Sequence, residues 1–155
     1  MNVNMNLLFY GPPGCGKSEL ARYIAHELDR EVLCKRASDL LDPYVGVTEQ
    51  NVKKAFEEAE AEEAVLVIDE ADSMLSSRDR AHRSWERSLT NEFLAQMERF
   101  KGIMICATNR LRDLDEASIR RFNHKIEFRH LTPDGNMAFW KLLKGLKEAN
   151  HRALV

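Results

Sequence analysis

Gly11-Pro12-Pro13-Gly14-Cys15-Gly16-Lys17-Ser18 fits the phosphate-binding loop pattern of Gly, four residues, then Gly-Lys-Ser/Thr. Ahead of it runs Met5-Asn6-Leu7-Leu8-Phe9-Tyr10, an apolar run short enough for a buried strand. Behind it, Glu19–Leu28 carries apolar residues at helical spacing. Strand, glycine-rich loop and helix together turn the pattern into a mechanism. The backbone N–H groups of the loop and the N-terminus of the helix converge on one spot and favour an anion there. In such a site Lys17 reaches the β- and γ-phosphates and the Ser18 hydroxyl sits on Mg²⁺. An incidental Gly/Pro turn would match the loop but not the elements on both sides of it.

A second stretch, Ala64-Val65-Leu66-Val67-Ile68-Asp69-Glu70-Ala71-Asp72, is an apolar strand ending in acids. Ligands of open α/β sheets bind at the C-terminal ends of strands, so these carboxylates fall where a ligand would lie. Asp69 can hold the Mg²⁺ that bridges phosphates. Side chains alternate along a strand, so Glu70 points elsewhere and can take a proton from an attacking water. Capping of a following helix, Ala71–Leu75, accounts for Asp72 better than for Asp69 and Glu70.

At 155 residues the chain is expected to form one domain with a substantial core. Its net charge of −2 supplies no broad attraction to nucleic acid. No run approaches the roughly 18 apolar residues of a membrane span, and no signal peptide pattern precedes the first strand. Cys15, Cys34 and Cys106 are scattered and lack metal-ligand spacing. Cys34 and Cys106 lie in apolar strand-like runs and read as reduced thiols of a cytoplasmic protein. Cys15 lies within the loop and is open to thiol reagents, without a catalytic role.

Strands and helices alternate through the rest. Glu31–Arg36 reads as a short strand. Thr48–Glu63 reads as a helix with Thr48 as its N-cap and Val52, Ala55, Phe56 and Ala59 on one face. Ser84–Phe100 is a second helix with a Leu89, Phe93, Leu94, Met97 stripe. Gly102–Ala107 is a buried strand, Asp115–Arg121 a short helix and His124–Phe128 the last strand. Thr132-Pro133 opens a final helix. Ser76–Arg83 is polar and reads as a mobile loop. Such alternation predicts an α/β fold of about five parallel strands with helices on both faces.

Two stretches narrow the class. The strand at 102–107 leads into Thr108-Asn109-Arg110, where Asn109 is either a turn former or a contact to the γ-phosphate and attacking water. In Leu114–Phe122, the adjacent Arg120 and Arg121 either complement a helix dipole or act as arginine fingers.

Taken with these, the chain resembles the AAA ATPases of the larger AAA+ group from about Met5 to Phe128. Four blocks in the family's order carry the likeness: GPPGCGKS (11–18), VLVIDEAD (65–72), ATN (107–109) and LDEASIRRF (114–122). It is most similar to katanin and spastin-like members and related bacterial AAA domains. The resemblance implies a P-loop NTPase fold and ATP and Mg²⁺ as ligands. Nucleotide would be held by Gly11, Pro12, Pro13, Gly14, Cys15, Gly16, Lys17, Ser18 and Glu19, and the metal by Ser18 and Asp69. It makes Glu70 the activator of water and Asn109 the first sensor of the γ-phosphate. Arg120 and Arg121 match the fingers that act on nucleotide held by the neighbouring subunit of a ring, a hexamer by the family's pattern. Tyr44-Val45-Gly46 matches the pore loop that grips a threaded polypeptide. Asp42-Pro43 begins a turn and Gly46 breaks the chain before Thr48, as such a loop needs. Without the resemblance, packing of Tyr44 into the core is the competing reading.

Only Met1–Asn4 precede the first strand and one helix follows the last. The adenine-enclosing segment and helical lid of AAA proteins are therefore not expected within this sequence, which corresponds to the large α/β subdomain. Asp-Glu-Ala-Asp at 69–72 also suggests a DEAD-box helicase, but that mechanism needs two such domains. A nucleotide kinase lacks a reason for the adjacent Asp-Glu, and an inactive adaptor would not keep competent residues at every position. A clamp loader-like protein acting on nucleic acid is disfavoured by the charge and by Tyr44-Val45-Gly46. The expectation is ATP hydrolysis coupled to unfolding or remodelling of a protein substrate by a self-associated ring, without a membrane.

Overall fold

A computed structural model describes residues 3–44, 46–76 and 84–153. Five strands form one sheet: β1 (Met5–Tyr10), β2 (Val32–Arg36), β3 (Val65–Asp69), β4 (Ile103–Thr108) and β5 (His124–Glu127). Their order is β2-β3-β4-β1-β5, and every pairing is parallel. β3 and β4 read as continuous apolar runs because both of their faces are covered. β5 is an edge strand with all four residues exposed. β1 pairs along its whole length with β4, from Met5 opposite Ile103 to Tyr10 opposite Thr108.

Alternation of side chains divides the core in two. On one face Leu7, Phe9, Val65, Val67, Ile103 and Ile105 pack against Ala21 and Ala25 of α1 (Lys17–Glu27). On the other, Leu8, Leu66, Ile68, Met104 and Cys106 meet α2 (Ala37–Leu40), α3 (Val47–Ala61), α4 (Asp72–Leu75) and α5 (Ser84–Arg99). Phe56 stands edge-on to Phe93 and Phe100, with centroids 5.6 and 5.2 Å away. Such pairs contribute about 0.5–1.5 kcal/mol each beyond area burial. The expected helices on both faces are thus present.

A 3-10 turn at Leu111–Asp113 and α6 (Glu116–Ile119) link β4 to β5. α7 (Pro133–Ala153) follows, with the Thr132 hydroxyl accepting from Gly135 N at 3.1 Å as a cap. Met137, Phe139, Trp140 and Leu142 are exposed along it. Among the described residues no helix is long and apolar enough to cross a membrane.

Two expectations need correction. Thr48 is not the N-cap of α3; the cap is Gly46, in the left-handed region at φ 81°. The Thr48 hydroxyl is taken up by the backbone of Asp42, accepting from its N at 2.8 Å and donating to its O at 3.2 Å. Cys34, read as part of an apolar run, is exposed, because β2 is the other edge of the sheet. Cys106 is buried in central β4, and burial drives its thiol pKa far up. Of the polar stretch 76–83, Ser76 bridges to Leu114, and 77–83 lie outside the described residues.

Candidate functional site

β1, β3 and β4 end side by side, and the candidate residues leave the sheet there. Gly11 follows β1, with its N donating to Thr108 O at 3.3 Å. A Cβ on Gly11 would lie 2.1 Å from Phe128 O, so the loop starts where no side chain fits. Gly14 and Gly16 have positive φ, 74° and 92°, and a Cβ at either would meet open space. Backbone conformation is therefore what requires glycine at these two positions. Gly16 opens α1 with no side-chain cap, so no side chain competes for the N–H groups of its first turn.

Lys17 is buried and its Nζ donates to Gly11 O at 2.8 Å and Pro12 O at 2.7 Å. Its pKa lies below the ordinary lysine value because burial disfavours the ammonium; Cys15 and Asp69 act in the opposite direction. Asp69 is thus close enough for its carboxylate to stabilise the Lys17 charge. Ser18 follows in the first turn of α1. Glu19 is exposed and pairs through its side chain with Arg22. Cys15 Sγ lies 3.6 Å from His130 Nδ1 and is partly exposed. Pro12 and Pro13 carry the loop between Gly11 and Gly14.

Asp69 is the last residue of β3, and its Oδ1 accepts from Glu70 N at 2.8 Å. Glu70 takes φ 55°, a left-handed conformation that a non-glycine residue holds only when its surroundings impose it. Asn109 is exposed directly after β4, one residue beyond buried Thr108. Lys17, Asp69, Glu70 and Asn109 accordingly leave three neighbouring strand ends.

Arg120 and Arg121 lie elsewhere. Asn123 N donates to Asn6 O at 2.8 Å, placing the end of α6 beside the start of β1. About 13 Å of strand separates Asn6 from Tyr10, and the phosphate loop begins beyond Tyr10. Arg121 Nε donates to Glu98 at 2.6 Å and its guanidinium also reaches Ala117 O at 3.0 Å. Arg120 is largely exposed, 3.7 Å from Glu116. The arginines and the loop therefore occupy opposite ends of β1.

Tyr44 is 75% exposed, which removes the core reading. Its N is held by Asp42 Oδ1 at 2.9 Å, and its O accepts from Val47 N at 3.3 Å. Gly46 turns the chain into α3, while Val45 lies outside the described residues. The sequence patterns assign no separate role to Thr108, whose hydroxyl donates to Asp72 at 2.8 Å, or to Glu98, the partner of Arg121. A polar residue at the end of an otherwise apolar strand was the available signal for Thr108.

A parallel sheet of this order, with a glycine loop opening α1 and acids ending β3, defines a P-loop nucleoside triphosphatase fold. Residues 7–130 match the family model described as ATPase family associated with various cellular activities (AAA), and the chain belongs to that family. It is 37% identical over 153 residues to a spastin of Ixodes scapularis, covering 94% of this chain and 23% of that protein. Spastins of Drosophila erecta and Drosophila melanogaster are each 38% identical over 128 residues, covering 77% of this chain and 17% of theirs. The chain spans about a fifth of the length of these relatives. Family membership makes it a nucleotide-binding domain of the ATPase class.

Proposed function

We propose that the chain binds Mg·ATP at the ends of β1, β3 and β4 and hydrolyses it, and that copies in a ring couple hydrolysis to remodelling of a protein substrate. The observation that carries this reading is the convergence of Lys17, Asp69, Glu70 and Asn109 on adjacent strand ends. Open space beside Gly14 and Gly16 lets backbone N–H groups approach phosphate oxygens. The Lys17 ammonium can turn from the carbonyls of Gly11 and Pro12 to the phosphates.

The Ser18 hydroxyl and the Asp69 carboxylate are hard oxygen donors suited to Mg²⁺, which takes one or two protein ligands and completes its shell with phosphates and water. Among the described residues there is no cluster of three His, Cys, Asp or Glu side chains that would form a dedicated metal cage. The metal, when bound, would neutralise charge on the β- and γ-phosphates. Glu70 takes the proton of the attacking water as its oxygen bonds to the γ-phosphorus and the bond to the β–γ bridging oxygen breaks. Asn109 orients that water and the γ-phosphate.

Arg120 and Arg121 sit too far along β1 to serve their own nucleotide, which supports action on a neighbour's. Exposed Tyr44 on its turn supports contact with a polypeptide. Binding and turnover test the reading together. Lys17→Ala should abolish binding of a fluorescent ATP analogue, whereas Glu70→Gln should keep binding and lose hydrolysis. Unimpaired turnover in the Gln variant would remove Glu70 from its role.

A further inference from the structure

Thr108 joins three segments of the site. Its carbonyl accepts from Gly11 N at 3.3 Å, where the phosphate loop begins. Its hydroxyl donates to Asp72 Oδ1 at 2.8 Å, two residues beyond Glu70. The same oxygen accepts from Arg110 N at 2.9 Å, closing the turn that carries Asn109. The residue is 1% exposed, so water does not compete for these bonds. A hydroxyl has one proton to give and lone pairs to accept with, and both functions are engaged here. The bond to Asp72 is charge-assisted, which makes it the stronger of the two.

Glu70 and Asn109 are both exposed, and each hangs from anchored neighbours. Glu70 is held left-handed by its N on Asp69 and by Ser73 N on its O, while Ala71 N donates to Ala107 O at 3.0 Å. Asp72 then ties the start of α4 to the end of β4 through the Thr108 side chain. Asn109 is the single residue between Thr108 and Arg110, and both flanks are fixed by the same hydroxyl.

We propose that Thr108 and Asp72 are positioning residues for ATP hydrolysis, locking Glu70 and Asn109 in register with each other and with the phosphate loop. This rests on the ATPase reading above. The hydroxyl is taken up by Asp72 and by Arg110 N, so its role is to set where Glu70 and Asn109 stand. Its loss should therefore slow the chemical step without weakening nucleotide binding.

The test compares Thr108→Val, which keeps the branched shape and loses the hydroxyl, with Thr108→Ser, which keeps the hydroxyl. Thr108→Val should lower kcat roughly 10- to 100-fold, as small misplacements of reacting groups do. KM and the affinity for a fluorescent ATP analogue should stay within about threefold of wild type, and Thr108→Ser should restore kcat to within about threefold. Asp72→Asn keeps an acceptor oxygen and should follow the Ser variant, while Asp72→Ala should follow the Val variant. Amide hydrogen exchange supplies a readout that needs no turnover: Arg110 N–H should exchange roughly tenfold faster in Thr108→Val and not in Thr108→Ser.

An unchanged kcat in Thr108→Val, alongside Lys17-dependent ATP turnover in wild type, overturns the proposal and leaves the ATPase reading intact. Equal slowing in the Ser and Val variants also overturns it. Absence of ATP binding by the wild-type chain overturns the ATPase reading itself. In that case unchanged exchange at Arg110 shows separately that the hydroxyl holds nothing in place. Should Thr108→Val fail to fold, Asp72→Ala against Asp72→Asn decides by the same criteria.

Discussion

Lys17 holds its amine in a place that disfavours charge. Burial lowers its pKa, with Cys15 and Asp69 only partly offsetting that effect. Phosphate binding needs the ammonium form, so nucleotide affinity should decline as pH rises through the lowered Lys17 pKa. That decline should begin at a lower pH than an ordinary lysine would give. The same depression has the opposite sign for folding. Between the lowered folded pKa and the unfolded value, the unfolded chain binds more protons, so the Lys17 contribution to stability increases as pH rises. Titration of a fluorescent ATP analogue across pH checks the first effect; affinity that stays flat into the ordinary lysine range contradicts it. Tyr44 makes a simpler prediction. An exposed ring should cost within about 0.5 kcal/mol on change to Ala. A loss of about 3–5 kcal/mol in chemical unfolding would instead return it to the core. At this scale Lys17, Asp69 and Glu70 were legible because glycine spacing and a strand end dictate where they stand. The Thr108 hydroxyl was not, because its partner Asp72 is 36 residues away and nothing local announces the pairing.

At the scale of elements, strands were easier to read than helix starts. β1 occupies Met5–Tyr10, and β3 and β4 begin and end within a residue of the expected runs. The buried apolar runs of β3 and β4 have sharp ends because each gives way to a polar residue at the last strand position, Asp69 and Thr108. The start of α3 was misplaced because Thr48 has the chemistry of a cap but spends its hydroxyl on Asp42. Thr48→Val should therefore strip both bonds from the Asp42 backbone and destabilise by roughly 1–3 kcal/mol in chemical unfolding, the usual cost of unsatisfied buried groups. The phosphate loop separates two roles of glycine. Gly11→Ala sets a Cβ against the backbone carbonyl of Phe128, which cannot rotate away, so the end of β1 must part from the chain after β5. That variant should lose well over the roughly 1–2 kcal/mol that a left-handed L residue costs at Gly14, where nothing else is in the way. Equal unfolding free energies for Gly11→Ala and Gly14→Ala would contradict the contact with Phe128.

Across the whole molecule, the length of β1 sets what one chain can do alone. Its phosphate loop stands at one end and Arg120 and Arg121 at the other. An arginine finger contributes roughly 10³–10⁵ in rate in other nucleotide hydrolases. If these arginines serve a neighbour, ATP turnover per chain should rise with protein concentration, and Arg120→Ala with Arg121→Ala should remove the rise while leaving binding intact. A flat rate across dilution contradicts trans action. Alternating strands and helices made the α/β class legible, but not the strand order, which depends on pairings between segments far apart in sequence.

The place of β1 between β4 and β5 has a consequence for how the chain is made. Of the five strands it is made first, yet its sheet partners start only at Ile103 and His124. At about 5–20 residues per second, its Leu-Leu-Phe core waits roughly 5–20 seconds for β4. Hairpin-scale pairing needs only about 1–10 microseconds, so the delay is imposed by synthesis order. A nascent chain ending before β4 can pair β2 with β3 but must leave the phosphate-loop strand bare. Nascent chains arrested short of Ile103 should be open to protease at β1 and hand that apolar segment to chaperones, whereas those released after Phe128 should close the sheet around it.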